Sequence, residues 1–268
     1  MSVYQRQQPA RLPRNARAIS PGRRAAFYDL DGTLMDLNLV HAALFTFTNI
    51  GEWSRRVSYM MAFVSRLPRM YIAERRDRRL LNIVLFEAFK GVSRDRLFSL
   101  GEEYCERVLL AHIYPRAIEM IEANRAAGIE PVLVTGSPDF IVAPLAEHLG
   151  IDAFASNQFI FSRGRATGRL SEPIMAGEQK AVWCEKWVSE RGMDLADCWG
   201  YADSHHDMAF LAAMGHPVAV NPDRRLKVVA MNRHWPVIHF KKQSAQSDDD
   251  FYNHYDFDQS TRETNGAT

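Results

Sequence analysis

Two acidic residues, Asp29 and Asp31, stand one residue apart at the end of the apolar run in FYDLDGTL (27–34). If this run is a buried strand, the repulsion between the two carboxylates must be relieved by a cation or by protonation of one of them. One carboxylate could attack phosphorus to form an aspartyl-phosphate, while a neighbouring carboxyl group with a raised pKa could protonate the leaving oxygen. Mg²⁺ would neutralise the charge, and Gly32 allows a tight turn whose N–H groups face an anion. The pair therefore indicates phosphoryl transfer, in preference to a plain turn after a strand.

A second polar segment, VTGSPDF (134–140), also follows an apolar run. Thr135 offers a hydroxyl group and Gly136 an unobstructed N–H group. Ser137 and Pro138 have the residue types of an N-cap and a first helical position, which predicts that a helix begins here. The N-terminus of a helix and these donors together form an anion site. The segment therefore predicts a grip for phosphate.

A third segment, YADSHHDMAFL (201–211), carries two further acidic residues. We interpret Asp203 as another carboxylate for a hard cation. Asp207 has two open interpretations, a capping partner at the N3 position of the following helix or a residue that orients the metal site. His205 and His206 have no third imidazole or thiol at a suitable spacing, so we expect them on the helix surface and not on a transition metal.

Lys180 lies between these segments, in GEQKAVWCEKWV (177–188), near the expected start of a helix. Alone, a lysine at such a position is ordinarily a solvated surface charge. In order with the three polar segments, it becomes the cation that would neutralise the charge of a phosphate and of an attacking carboxylate.

Short apolar runs and segments of helical periodicity alternate along the chain. Runs with the character of buried strands occur at 25–30, 130–135, 197–202 and 217–220. Helical periodicity is present at 116–127, 138–149, 178–191 and 206–214. This alternation predicts a Rossmann-like α/β core, in which a parallel sheet carries helices on both faces. Ligands bind at the carboxyl ends of the strands in such sheets, where we expect the three polar segments to lie.

Residues 39–112 contain no good strand signal and have the pattern of several helices. Because this segment is too long for a crossover loop, we interpret it as an inserted helical cap that could close over the strand ends. The α/β core then comprises 23–38 and 113–240. A smaller excursion at 157–171 predicts a β-hairpin that turns at Arg163–Gly164.

The ordered motifs DLDGT (29–33), VLVTGS (132–137), Lys180 and ADSHHD (202–207) resemble those of the haloacid dehalogenase (HAD) superfamily of phosphohydrolases. The helical insertion after the first motif is similar to the phosphoserine-phosphatase-like branch, subfamily IB. The resemblance covers residues 24–235 and implies a phosphatase with a Mg²⁺ cofactor. The implied roles are a nucleophile, Asp29; an acid/base, Asp31; metal ligands, Asp29, the backbone carbonyl of Asp31 and Asp203, with Asp207 in support; and phosphate ligands, Thr135, Gly136 and Lys180.

The resemblance also bears on the reaction and the substrate. Asp31 favours transfer of the phosphoryl group to water, because dehalogenases of this superfamily lack a carboxylic acid at that position. The long cap argues against a protein-sized substrate and favours a small or slender phosphomonoester. Phosphoserine phosphatases carry a substrate-reading glutamate nine residues after the nucleophile, where this chain has Asn38, and this departure argues against phosphoserine. Two alternatives stay open, phosphotransfer to an alcohol acceptor and a catalytically idle membrane-surface binding module.

The first half of the cap is strongly basic. Residues 52–79 hold eight arginines against three acidic residues, a net charge of +5, with aromatic and methionine side chains such as Trp53 and Met61 between them. A basic, apolar helical surface can lie on anionic lipid. We therefore expect a phosphorylated small molecule or lipid as substrate and peripheral contact with an anionic membrane. The alternative is that the apolar side chains pack the cap internally and the arginines are solvated.

The composition sets the remaining bounds. The 268 residues have a formal net charge of +1 and are 47% hydrophobic, which predicts a folded protein and gives no sign of nucleic acid binding. Segment 1–22 is basic, segment 241–268 is acidic, and both are expected to be disordered tails. Cys105, Cys184 and Cys198 are widely spaced, which indicates small core residues in a reducing compartment. No apolar run reaches the roughly 18 residues of a membrane span. We expect a cytoplasmic protein that is membrane-peripheral if the cap binds lipid; the oligomeric state stays open.

Overall fold

Eight strands lie in residues 23–240, the part of the chain that the computed structural model describes. They are β1 (Arg24–Tyr28), β2 (Ile129–Pro138), β3 (Ala153–Asn157), β4 (Phe159–Ser162), β5 (Arg165–Leu170), β6 (Trp199–Ala202), β7 (His216–Val220) and β8 (Val237–Ile238). Six of them form one parallel sheet in the order β3-β2-β1-β6-β7-β8. The predicted tails, 1–22 and 241–268, lie outside the described residues.

Eleven α-helices lie in the same part of the chain. The first six follow β1 in the cap segment: α1 (Leu39–Asn49), α2 (Trp53–Val64), α3 (Leu67–Arg76), α4 (Arg78–Phe86), α5 (Arg94–Tyr104) and α6 (Leu110–His112). The other five lie beside the later strands: α7 (Pro115–Ala126), α8 (Asp139–His148), α9 (Glu178–Ser189), α10 (Met208–Ala212) and α11 (Arg224–Asn232). The predicted fold class, an α/β parallel sheet with an inserted helical segment, is confirmed.

Strand β1 is buried on both of its faces, as expected where helices cover both sides of a parallel sheet. Its apolar side chains alternate between two clusters. On one face Tyr28 stacks on Tyr201 with ring centroids 4.8 Å apart. On the other, Phe27 meets Trp187 edge to face at 5.6 Å. Because the strand is fixed in this way, it delivers the next residue, Asp29, to the carboxyl edge of the sheet.

The hairpin of β4 and β5 supports the cap. As the sequence predicted, its two strands pair in antiparallel fashion and turn at Arg163 and Gly164. Both turn residues have positive φ. Phe159 of β4 packs against two cap residues, with ring centroids 5.0 Å from Phe86 and 5.3 Å from Phe89. The hairpin therefore helps to hold the cap against the core.

The end of β2 differs from the prediction. The strand runs on to Pro138, because after an irregularity in register Pro138 pairs with Asn157 of β3. Helix α8 begins only at Asp139, and Pro138 occupies the N-cap position without a side-chain hydrogen bond. The interpretation of Ser137 as an N-cap was therefore wrong, since this residue still belongs to the strand.

Three other elements also differ. Strand β3 was not predicted from its mixed sequence AFASN, nor was the two-residue β8. The helix predicted at 206–214 is a 3₁₀ turn, His205–Asp207, followed by the short α10.

The three cysteines are buried and free, as expected. Within residues 23–240, none of the helices has the length and apolar character needed to cross a bilayer.

Candidate active site

A buried lysine joins two of the predicted site aspartates. Lys180 lies on the first turn of α9, and its Nζ is 2.7 Å from Asp29 Oδ1 and 2.8 Å from Asp207 Oδ1. All three residues are buried. Although burial favours the neutral amine, the carboxylates of Asp207 and Asp29 raise the pKa of Lys180 above its ordinary value. The lysine is therefore a charged internal bridge and not the solvated surface charge that its position alone would suggest.

Three carboxylates converge beside this bridge. Oxygen atoms of Asp29, Asp203 and Asp207 lie within 4.8 Å of one another. Burial, together with the charges of Asp29 and Asp207, raises the pKa of Asp203 to about 8. Burial also raises the pKa of Asp29, while the Lys180 ammonium opposes this increase. One ammonium group cannot balance three ionised carboxylates, so the cluster suits a divalent cation, and its oxygen donors are those that Mg²⁺ prefers.

Asp31 occupies a different environment from Asp29. Ser137 Oγ donates a hydrogen bond to Asp31 Oδ2 over 3.0 Å, which is what this serine does in place of capping α8. The other oxygen, Oδ1, is buried and has no hydrogen-bond partner among the described residues. Burial, and then the charge of Asp29, raises the pKa of Asp31 to about 6. A carboxyl group that titrates near neutral pH can both give and accept a proton, as an acid/base catalyst must.

Gly32 fits closely against the acidic cluster. It has a φ of +81°, and a Cβ atom at this position would lie 2.3 Å from Asp203 Oδ2. The next residue, Thr33, has its hydroxyl oxygen 3.5 Å from Asp203 Oδ1. Only glycine both adopts this backbone conformation readily and leaves the space that the Asp203 carboxylate occupies.

Two of the three predicted phosphate-binding residues, Thr135 and Gly136, lie near the end of β2. Thr135 is buried, and its hydroxyl oxygen accepts a hydrogen bond from the Ser137 N–H over 3.1 Å. Gly136 lines the same pocket as the aspartates and Lys180. Its carbonyl oxygen accepts a hydrogen bond from Asn157 Nδ2 over 2.7 Å, which fixes the strand end.

Two cap residues that the sequence did not single out also line this pocket, Arg78 and Asn82 of α4. They are four residues apart and thus share one face of the helix. Asn82 is buried, and its Nδ2 has no hydrogen-bond partner among the described residues. A Cβ on Gly136 would approach this Nδ2 to 3.0 Å, so the glycine lets cap and core meet closely. A signal was available, because Asn82 is the one polar residue in the apolar run LLNIVLF; Arg78 could not be distinguished from the neighbouring arginines.

The prediction that both histidines lie on the helix surface was wrong for His206. It is half-buried and lines the pocket, and burial, reinforced by His205, lowers its pKa. His205 itself makes a 2.8 Å contact through Nδ1 with Asp223 Oδ2. Asn38, by contrast, is exposed and caps α1, where its side chain accepts a hydrogen bond from the Val40 N–H. It is not among the residues that line the pocket.

Comparison with known proteins agrees with this geometry. The family model of haloacid dehalogenase-like hydrolases matches residues 26–212. A probable phosphatase of Mycobacterium tuberculosis (strain ATCC 25618 / H37Rv) is 28% identical over 241 residues, which cover 90% of this chain and 83% of that protein. A protein of unknown function from Bordetella pertussis Tohama I, known from its crystal structure, has a TM-score of 0.69 at 27% identity, covering 81% of this chain and 98% of that one. A phosphoserine phosphatase, solved as a phospho-aspartyl intermediate analogue, shares the fold with a TM-score of 0.60 at 16% identity, covering 82% and 94%. The chain belongs to the haloacid dehalogenase-like hydrolase family, as its motifs indicated.

Proposed function

We propose that this hydrolase is a Mg²⁺-dependent phosphomonoesterase that forms an aspartyl-phosphate at Asp29. The observation that carries the proposal is the bridge from Lys180 to Asp29 and Asp207, with Asp203 beside it. A carboxylate held next to a buried cation, further carboxylates and a pocket has the surroundings that a nucleophile for a phosphate dianion requires.

The acidic cluster supports a metal cofactor. Asp29, Asp203 and Asp207, with the backbone carbonyl of Asp31, would hold Mg²⁺. When bound, Mg²⁺ neutralises charge on the phosphate oxygens and on the carboxylates. The close approach of these three carboxylates fits a site that binds a cation.

The chain's own residues supply the two halves of the reaction. Asp29 attacks the phosphorus atom, the bond between phosphorus and the leaving oxygen breaks, and Asp31 donates its proton to that oxygen. Asp31 then takes a proton from water, whose oxygen attacks the phosphorus of the aspartyl-phosphate. Inorganic phosphate leaves, and the Asp29 carboxylate is restored. A pKa of Asp31 near 6 suits both directions of proton transfer.

The phosphate group would be held by Thr135, Gly136 and Lys180. The Thr135 oxygen already accepts the Ser137 N–H, so its own proton is available for an anion. The Lys180 ammonium carries three protons, two of which point to Asp29 and Asp207, and the third can face a phosphate oxygen.

Arg78 and Asn82 support a substrate with polar groups beyond the phosphate. They enter the pocket from the cap, and Nδ2 of Asn82, which has no hydrogen-bond partner among the described residues, is a donor that needs one. Asn38 is engaged at the start of α1, so it does not replace a substrate-reading acidic residue. The substrate class that we infer is a small or amphiphilic phosphate ester other than phosphoserine, hydrolysed in the cytoplasm.

The test is hydrolysis of a generic aryl phosphate by the purified protein, with Mg²⁺ and with a chelator. We expect phosphate release that the chelator abolishes, and a Mg²⁺-induced rise in melting temperature that Asp203→Ala reduces. Candidate alcohols added to the assay distinguish transfer to water from transfer to an alcohol, since only the latter yields new phosphoesters. A panel of phosphorylated metabolites and phospholipids then identifies the substrate. A protein that releases phosphate from none of these would refute the proposal in favour of an idle binding module.

A further inference from the structure

The outer surface of α2 and α3 carries an unusual number of exposed apolar side chains. More than half of the large apolar residues that are exposed within residues 23–240 lie on these two helices. We call them the outer cap face: Trp53, Val57, Met61, Val64, Leu67, Tyr71 and Ile72. Trp53 is 78% exposed and Met61 66%.

These residues form a stripe and are not scattered. On α2 they recur at 53, 57, 61 and 64, spacings of four, four and three that place them on one face of the helix. On α3, a separate helix, Leu67 and Tyr71 are again four residues apart. The same helices bury Phe63, Met70 and Ala73 in the core cluster that the cap shares with the sheet. Folding therefore uses one apolar face of the two helices and leaves a second one at the surface.

The outer cap face is also strongly basic. Residues 53–76 contain six arginines and a single acidic residue, Glu74. Arg55, Arg56, Arg69, Arg75 and Arg76 are exposed. Two of the arginines, Arg66 and Arg69, pair with Glu87, and the guanidinium of Arg75 stacks on Tyr71 at 4.4 Å. The net charge of the surface stays positive after these contacts.

We propose that the outer cap face docks on an anionic lipid bilayer. Interfacial helices combine an apolar stripe, often with tryptophan, and flanking basic residues that contact lipid phosphates, which is the arrangement of α2 and α3. Long arginine side chains can lie with their alkyl stems beside the apolar stripe and their guanidinium groups in the headgroup layer. The positive charge complements an anionic membrane, and the apolar stripe adds apolar surface that can be buried in the lipid.

Helix α3, which carries part of the outer cap face, leads to a residue that lines the pocket. Helix α3 ends at Arg76, and two residues later Arg78 lines the pocket. Glu74 of α3 pairs with Arg78 across 3.7 Å. A phosphate ester at the surface of a docked membrane would thus meet the protein beside the pocket. Membrane docking is measured by vesicle binding, without turnover. The docking proposal can therefore fail while the phosphatase proposal stands, and the phosphatase proposal can fail while the docking proposal stands.

The test is co-sedimentation of the full-length protein with lipid vesicles. We expect binding to vesicles of phosphatidylglycerol and phosphatidylcholine in equal parts, no binding to phosphatidylcholine alone, and weaker binding as salt is raised. Replacing Trp53 and Met61 together by serine should weaken binding about tenfold or more, because two large apolar side chains lose their burial. Arg55→Glu with Arg56→Glu should do the same through charge, by about tenfold.

A matched control lies on α11. Val228 and Met231 are 57% and 65% exposed, so Val228→Ser with Met231→Ser removes similar apolar area from another surface. This control should bind vesicles as the unaltered protein does. Absence of binding to anionic vesicles, equal binding to both vesicle types, or full binding by the Trp53 and Met61 variant would each overturn the proposal. So would sedimentation analysis that found a dimer, lost in that variant, together with no vesicle binding, since the face would then belong to a second copy of the chain.

Discussion

The Lys180 ammonium lies 2.7 Å from the carboxylate of Asp29, although the two residues are 151 positions apart in sequence. Removing one partner of a buried ion pair leaves an uncompensated charge and costs about 3–5 kcal/mol of stability. Lys180→Met leaves both Asp29 and Asp207 in that state. We expect the variant to lose this much free energy of unfolding in urea titrations and to show no hydrolysis of an aryl phosphate.

Lys186 on the same helix provides the control for that substitution. Its side chain is 76% exposed, and its ammonium lies 3.9 Å from Glu190 Oε1. Exposed pairs of this kind contribute between 0 and about 1 kcal/mol. Lys186→Met should therefore unfold like the unaltered protein and keep its activity. Equal stability of the two variants would show that the buried bridge is not what stabilises the site.

Because Gly32 lies so close to Asp203, we expect two glycine variants to differ in stability and in their response to Mg²⁺. In Gly32→Ala the added Cβ would overlap the Asp203 carboxylate, so the acidic cluster has to open. Gly164 also has a positive φ, +71°, but a Cβ there meets no atom within 4 Å. Gly164→Ala should lose only about 1 kcal/mol, from the strained backbone conformation. Gly32→Ala should lose more, and with it the Mg²⁺-induced rise in melting temperature, as thermal unfolding can measure. A normal response to Mg²⁺ in Gly32→Ala would contradict the assignment of Asp203 to the metal.

We expect the cap residues Arg78 and Asn82 to bind the part of the substrate beyond the phosphate, and not the phosphate itself. Arg78→Ala and Asn82→Ala should each lower kcat/KM for the natural ester about tenfold, the value of one lost polar contact. Inhibition by inorganic phosphate should change less than twofold, because the phosphate ligands that we propose belong to the core. Arg79→Ala is the control, since Arg79 pairs with Glu172 at the surface. A parallel loss of phosphate affinity in the cap variants would assign them to the phosphate instead.

We expect Asp139, at the start of α8, to make the stability of the protein depend on pH. Burial raises the pKa of Asp139 to about 6, although the Phe140 N–H and Arg94 favour the charged form. Between the ordinary pKa near 4 and this value, the folded state binds more protons than the unfolded state. The contribution of Asp139 to stability is therefore full below pH 4 and is lost as pH rises through 6. Asp139→Asn should be more stable than the unaltered protein at pH 7.5 and not at pH 4, in urea titrations at both values. If Asp139→Asn were less stable than the unaltered protein at pH 7.5, the stabilisation of the Asp139 carboxylate by the N-terminus of α8 would exceed the cost of burying its charge.

The strand-end residues of the site could be predicted because a parallel sheet imposes their meeting. Asp29 and Asp203 each follow a strand, Gly136 lies near the end of β2, and carboxyl ends of parallel strands share one edge. The periodic apolar runs that mark those strands are local in sequence. Strand β3, with small and polar residues, and β8, with two residues, give no such signal.

The remaining parts of the site depend on contacts that no local pattern encodes. The burial of Lys180 follows from the way α9 packs on the sheet, and Ser137 reaches Asp31 only because β2 continues its pairing with β3. Arg78 enters the pocket because the cap docks over the strand ends. In the sequence it is one of eight arginines within 52–79, and only the tertiary structure distinguishes it.

The covalent role of Asp29 is the central claim, and acid-quench labelling tests it most directly. The protein is mixed with a ³²P-labelled phosphate ester and Mg²⁺, quenched in acid within the first turnover, and digested. We expect label on the peptide that contains Asp29, sensitive to hydroxylamine as an acyl phosphate is, and neither label nor turnover in a folded Asp29→Asn protein. Turnover that persists in Asp29→Asn, or label on another residue, would contradict the account.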